Sequence, residues 1–143
     1  MAFTGNYTCN AFLTGLMDGT YNFASDTFKI ALYTNDAALT NTTDAYTTSG
    51  EVVATGYTAG GETLTVSQVP IIGGTTPPTA YLSFSNVSWT AALTARGALI
   101  YKDDGSTYPT VCVLDFGNDK TSTTTFTVQF PAANNTSAII RIS

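Results

Sequence analysis

The sequence predicts a mainly β domain, an antiparallel β-sandwich of jelly-roll type with one short N-terminal helix. Three observations carry this expectation. Threonine makes up about a fifth of the 143 residues, and its β-branched side chain suits a pleated, half-exposed surface. From Tyr81 onward, short strand-like runs alternate with turn-forming clusters at the spacing of an all-β sandwich or jelly roll. Helical periodicity occurs only near residues 9–18. At 15.0 kDa, two independent cores would each be too small, so residues 1–143 read as a single domain.

In the helix, Cys9, Phe12, Leu13, Leu16 and Met17 fall at i, i+3, i+4, i+7 and i+8, which predicts one buried apolar stripe. Thr8 is the expected N-cap and Gly19 the left-handed stop. Asp18 in the last turn opposes the macrodipole, so burial rather than propensity must hold this helix. Residues 27–33 alternate, with Phe28, Ile30 and Leu32 on one face and Lys29, Ala31 and Tyr33 on the other. The stretch 34–50 has no sustained period and reads as a long loop, of a length that often carries function. Residues 51–53 and 56–58 are weak extended segments. Gly60-Gly61 is a turn before the alternating run 62–67, where a hairpin or a paired edge is expected.

Gly73 to Pro78 forms a second loop, too rigid at its prolines for a ladder and a second candidate contact surface. Strands are expected at 81–85, 87–90, 97–102, 110–116, 126–130 and 138–142, the last four as an antiparallel meander. Asp103-Asp104-Gly105-Ser106 is the clearest turn among them.

Charged residues are 10% of the chain, so a neutral polar surface is expected. The five bases, Lys29, Arg96, Lys102, Lys120 and Arg141, are scattered, which argues against nucleic acid as a partner. A net charge of −5 disfavours anionic membranes, and no apolar run reaches spanning length. The start Met1 to Asn6 lacks the basic and apolar regions of a secretory signal, which predicts synthesis in a cytoplasm. Cys9 and Cys112 do not make a disulfide framework; buried free thiols are expected, and a single bridge between them stays open.

Histidine is absent, which removes Ser-His, Cys-His and His-metal chemistry. Asp103 with Asp104, or Asp115 with Asp119, are the carboxylate pairs available to a two-acid hydrolase, but Asp103-Asp104 precedes Gly105 in a turn, where Asp bonds local backbone. Asp115 to Asp119 gathers two acids and Asn118 without the spacing of a calcium loop. Gly60-Gly61 and Gly73-Gly74 precede no helix and so cradle no phosphate. Asn6, Asn41, Asn86 and Asn135 head glycosylation-like triplets that this composition produces by chance. Trp89 reads as core, whereas Tyr33, Tyr46, Tyr57, Tyr81, Tyr101 and Tyr108 are the rings available to stack a sugar. No residue is assigned a catalytic, cofactor-binding or metal-ligating role, and none of these groups is expected.

Four stretches in order carry a resemblance. They are Tyr21-Asn22-Phe23 with 26–34, then 46–52, then 56–61, and finally Trp89-Thr90 with 95–101, 114–117, 125–128 and 138–142. Together they resemble a family of small structural proteins of tailed bacteriophages, over nearly the whole chain. The resemblance implies a virion component made in the host bacterial cytoplasm and without catalytic residues. The size fits a capsid decoration (cement) protein that binds and stabilises junctions between capsid subunits. A head-fibre, neck or tail subunit, including a glycan-binding adhesion module, is the alternative. Its partner would be the major capsid protein or another virion protein, and closed symmetry predicts a homo-oligomer, dimer or trimer.

Overall fold

A computed structural model describes residues 3–143; Met1 and Ala2, the start of the segment read for a signal, lie outside the described residues. Among these the elements run β1 (Tyr7–Thr8), α1 (Asn10–Asp18), β2 (Phe28–Tyr33), β3 (Glu62–Leu64), β4 (Val66–Gly73), β5 (Thr79–Phe84), β6 (Val87–Trp89), β7 (Thr94–Lys102), β8 (Thr110–Thr121), β9 (Phe126–Val128) and β10 (Ile140–Ile142). The mainly β composition with one short helix is as the residues dictate. The jelly-roll sandwich is not. The strands form three separate antiparallel sheets, in the orders β1-β8-β7-β2-β3, β10-β5-β4 and β6-β9, and none of them closes.

Pairing explains the difference. Turn spacing locates strands but does not choose their partners, and here the partners are distant in sequence. β2 lies against β7 with Leu32 opposite Ala98 and Ile30 opposite Ile100. The expected C-terminal meander ends after its first hairpin, β7 with β8, because β9 pairs with β6 and β10 with β5. Glu62–Leu64 pairs with β2 as an edge rather than folding back in a hairpin of its own. β4 runs on through Pro70 to Gly73, well past the expected end at Ser67, and its register with β5 shifts on either side of Gln68. An edge position and a bulged register are where a strand tolerates proline.

The five-stranded sheet is buried on both faces, which is a second departure from a sandwich with one solvated face per sheet. Phe28, Ile30, Leu32, Ala98 and Ile100 enter the first core with Leu82, Phe84, Trp89 and Phe126 from the other sheets and Phe12 from α1. Ala31, Tyr33, Leu99, Tyr101 and Val113 enter a second core, closed by Ala37 and Leu39 of the 34–50 segment. That segment is therefore a cover over a sheet face rather than a free contact loop. Fully buried Ala37 and Leu39 make the point.

The helix also departs from its stripe. Gly19 ends it in the left-handed region at φ 81°, donating to the Gly15 carbonyl. Cys9 rather than Thr8 stands at the N-cap, with no side-chain cap, because Thr8 is paired in β1 opposite Cys112. Phe12 and Gly15 are buried, but Leu13, Leu16 and Met17 face out, Met17 at 84% exposure.

The register decides the cysteines. Both are free; Cys9 lies in the second core, whereas Cys112 stands opposite Ile100 and packs against the first. Side chains on opposite faces of one sheet cannot be bridged without breaking it. Burial pushes the Cys112 thiol up to about 12 and raises Cys9 as well. Two thiols per chain are expected to react with a disulfide reagent at pH 8 in denaturant; in the native state buried Cys9 is expected to resist it, and Cys112, half-buried at the cleft beside α1 and with its thiol raised, to react more slowly than in denaturant. Rapid native labelling of Cys9 would contradict this packing.

Candidate functional site

A buried polar cluster surrounds Glu51, a carboxylate only 7% exposed. The Tyr57 hydroxyl and the Gly60 N–H donate to Oε1, each at 2.7 Å, and the Tyr46 hydroxyl donates to Oε2 at 2.6 Å. Tyr57 in turn accepts from the Leu32 N–H of β2 at 2.9 Å. The Tyr101 hydroxyl donates to the Gly60 carbonyl and the Tyr33 hydroxyl to the Thr47 carbonyl. Burial, reinforced by bonding to Glu51, raises Tyr46 and Tyr57 well above the ordinary tyrosine range. Every oxygen of this cluster is bonded internally. It fastens the 34–61 segment to the sheet.

The tyrosines named for sugar stacking are thereby accounted for. Tyr33, Tyr57 and Tyr101 are buried, Tyr46 stacks on Tyr101 at 4.8 Å, and Tyr108 packs against both. Tyr81 is half-buried in β5. Trp89 is core, 2% exposed, against Tyr57 and Phe126.

The candidate acids are dispersed and locally engaged. Asp104 accepts from the Thr107 hydroxyl and from the N–H groups of Ser106, Thr107 and Tyr108, while Asp103 accepts from Gly105. The Thr107 hydroxyl first, then those amides, hold the Asp104 carboxyl well below the usual carboxylate range. Because its folded value is depressed, this anion stabilises the turn above about pH 4 and ceases to as acid protonates it. Asp104→Asn is therefore expected to destabilise the protein at pH 7 and to narrow the gap to the parent at pH 2 in urea unfolding. An equal gap at both pH values would exclude the anion as the cause.

Asp115 forms an ion pair with Arg96 at 3.2 Å and accepts from the Gly117 N–H; Asp119 lies exposed further along β8. No group of three metal-ligating side chains assembles among the described residues. The glycosylation-like asparagines have local roles too: Asn6 accepts from the Asp115 N–H, Asn41 bonds Asn10, Asn86 accepts from the Phe130 N–H, and Asn135 lies against Gly73 and Gly74. The bases spread over β2, β7, β8 and β10 without forming a stripe. Among the described residues no helix is long and apolar enough to cross a membrane.

What remains is an apolar surface that sequence reasoning assigned to the core. Leu13, Leu16 and Met17 share one face of α1 at i, i+3 and i+4. A cleft of about 460 Å³ separates this helix from β10 and is lined by Phe12, Leu13, Leu16, Ile140, Arg141 and Ile142 among others. Ile142 and Ile72 both stand opposite Ala80 in the three-stranded sheet, so the surface continues from the cleft across that sheet. Ile72 is 61% exposed and Ile142 51%. The Thr75–Pro78 part of the second loop is exposed as well. The helical period marked Leu13, Leu16 and Met17 as one apolar face; no pattern in the sequence says that the face is left uncovered.

Comparison of the chain with protein-family models, with curated proteins and with solved structures returns no match.

Proposed function

We propose that the chain is a non-enzymatic structural subunit of a tailed-phage virion, a capsid decoration protein that binds and stabilises junctions between capsid subunits. The observation that carries the reading is the uncovered apolar surface of α1 and the β10-β5-β4 sheet, on a molecule whose acids and tyrosines are largely engaged internally. The four-part resemblance to small phage structural proteins supplies the context. Low charge supports it, since few ionic groups lose hydration when such a surface is covered. Burial of Tyr33, Tyr57 and Tyr101, with Tyr46 and Tyr108 packed against Tyr101, favours a protein partner, the major capsid protein or another virion protein, over a glycan. Synthesis in the bacterial cytoplasm and residence in the virion follow from this role.

The purified chain is expected to co-sediment with phage heads that lack it and to raise their resistance to heat and osmotic shock. Absence of co-sedimentation, or binding confined to neck or tail in reconstructed particles, would overturn the decoration role.

A further inference from the structure

Residues 131–143 are held to the rest of the chain by few contacts. β10 is an outer edge of the three-stranded sheet and pairs with β5 over three residues only, Ile140 to Ile142 against Leu82 to Ala80. Ala138 is the one fully buried residue of the segment, and it belongs to neither core. Ile139 and Ile140 are half-buried and pack on the first core from outside. The polar bonding of the segment is its own. The Asn134 side chain accepts from the Thr136 hydroxyl and from the N–H groups of Thr136 and Ser137, the Ala138 N–H donates to the Asn134 carbonyl, and the Arg141 guanidinium donates to the Thr136 carbonyl. These bonds close within residues 134–141 and travel with the segment. Its release gives up a three-residue ladder and a few apolar contacts, and neither core has to open.

What the segment covers is reactive surface. Ile139 and Cys112 both border the cleft beside α1 and a smaller one of about 200 Å³ on the β1 side, so departure of the segment joins the two clefts at Cys112. Departure also strips β5 of its β10 partners and leaves a bare sheet edge, which pairs readily with any extended strand. A short strand with a charge at its centre, as β10 is with Arg141, is a cover that does not itself invite further pairing.

We infer that residues 131–143 are a releasable latch: β10 leaves β5 as one unit with the segment before it while both cores stay folded, and in leaving uncovers the β5 edge and Cys112. This goes beyond the virion reading and does not rest on it, because the latch opens and closes in the isolated chain.

Hydrogen exchange and thiol labelling of the full chain, both read by peptide mass spectrometry, are the test. Amides of residues 138–142 are expected to exchange at least about a hundredfold faster than those of β2 and β7. Cys112 is expected to label at a rate nearly independent of urea below the unfolding transition, since opening the latch exposes little surface. Cys9, in the second core, is expected to label only as the whole chain unfolds, with a steep dependence on urea. Ala138→Asp sets a charge at a buried site outside both cores and is expected to speed Cys112 labelling at least about tenfold while leaving Cys9 unchanged. Val53→Asp, at a 97% exposed site in a different cleft with Leu93 and Thr121, is expected to change neither rate. Exchange of residues 138–142 at the rate of β2 and β7 would overturn the inference. So would Cys112 labelling indifferent to Ala138→Asp, which means entry through the closed cleft or fraying of the last residues alone, and so would equal acceleration of both thiols, which means unfolding of the whole chain.

Discussion

Glu51→Ala is expected to lower the stability of the folded chain by about 3–5 kcal/mol, with the 34–61 segment as the first part to loosen. The carboxylate gathers three donors in a site closed to water, two tyrosine hydroxyls and the Gly60 amide. Removing it strands all three, and each stranded donor costs more than its hydrogen bond contributed. The loss extends to the second core, because Ala37 and Leu39 lie in the segment that this cluster fastens. Glu51→Gln keeps an acceptor and is expected to cost less, about 1–2 kcal/mol. Urea unfolding measures both, and limited proteolysis reports where the chain opens. An alanine variant within 0.5 kcal/mol of the parent would show that the cluster is incidental.

Gly61→Ala is expected to be as damaging, by about 3 kcal/mol or more, for a steric reason. Gly61 has φ 77°, and a Cβ there would lie 1.8 Å from the Ile30 carbonyl oxygen and 2.6 Å from its carbon. Both obstacles are backbone of β2, the strand that carries Ile30 and Leu32 into the first core, so neither can swing aside. Gly105→Ala is the matched control: φ is 73° but nothing lies within 4 Å of the added carbon. Only the left-handed backbone penalty of about 1 kcal/mol is expected there. Equal losses at the two sites would mean that the 58–61 turn does not press on β2.

Much of the fold is legible in local pattern. The alternation of Phe28, Ile30 and Leu32 against Lys29, Ala31 and Tyr33 predicts which side chains share a face, and the two cores divide β2 along that line. Gly19 is readable as a helix stop because its φ of 81° is one that glycine accepts without strain. The run Ala98-Leu99-Ile100-Tyr101 also carried a signal: a strand solvated on one face alternates polar residues, and this one has none, as burial on both faces requires. The carboxylate cluster gave no such signal. Glu51 stands in sequence like any polar residue at a turn, and only the approach of Tyr46, Tyr57 and Gly60 in space makes it a fastening point.

By itself the sequence determined the β character of the chain, the short helix, the glycine turns and the loss of histidine chemistry, because these follow from side-chain stereochemistry and residue identity within a few positions. The tertiary structure alone decided that the strands divide among three sheets, that Cys9 and Cys112 face opposite ways, that the long loop is a cover and that Leu13, Leu16 and Met17 stand outside the core. These depend on which distant strands pair and in what register. A shift of one residue in that register exchanges the faces of a whole strand, and local pattern does not encode it.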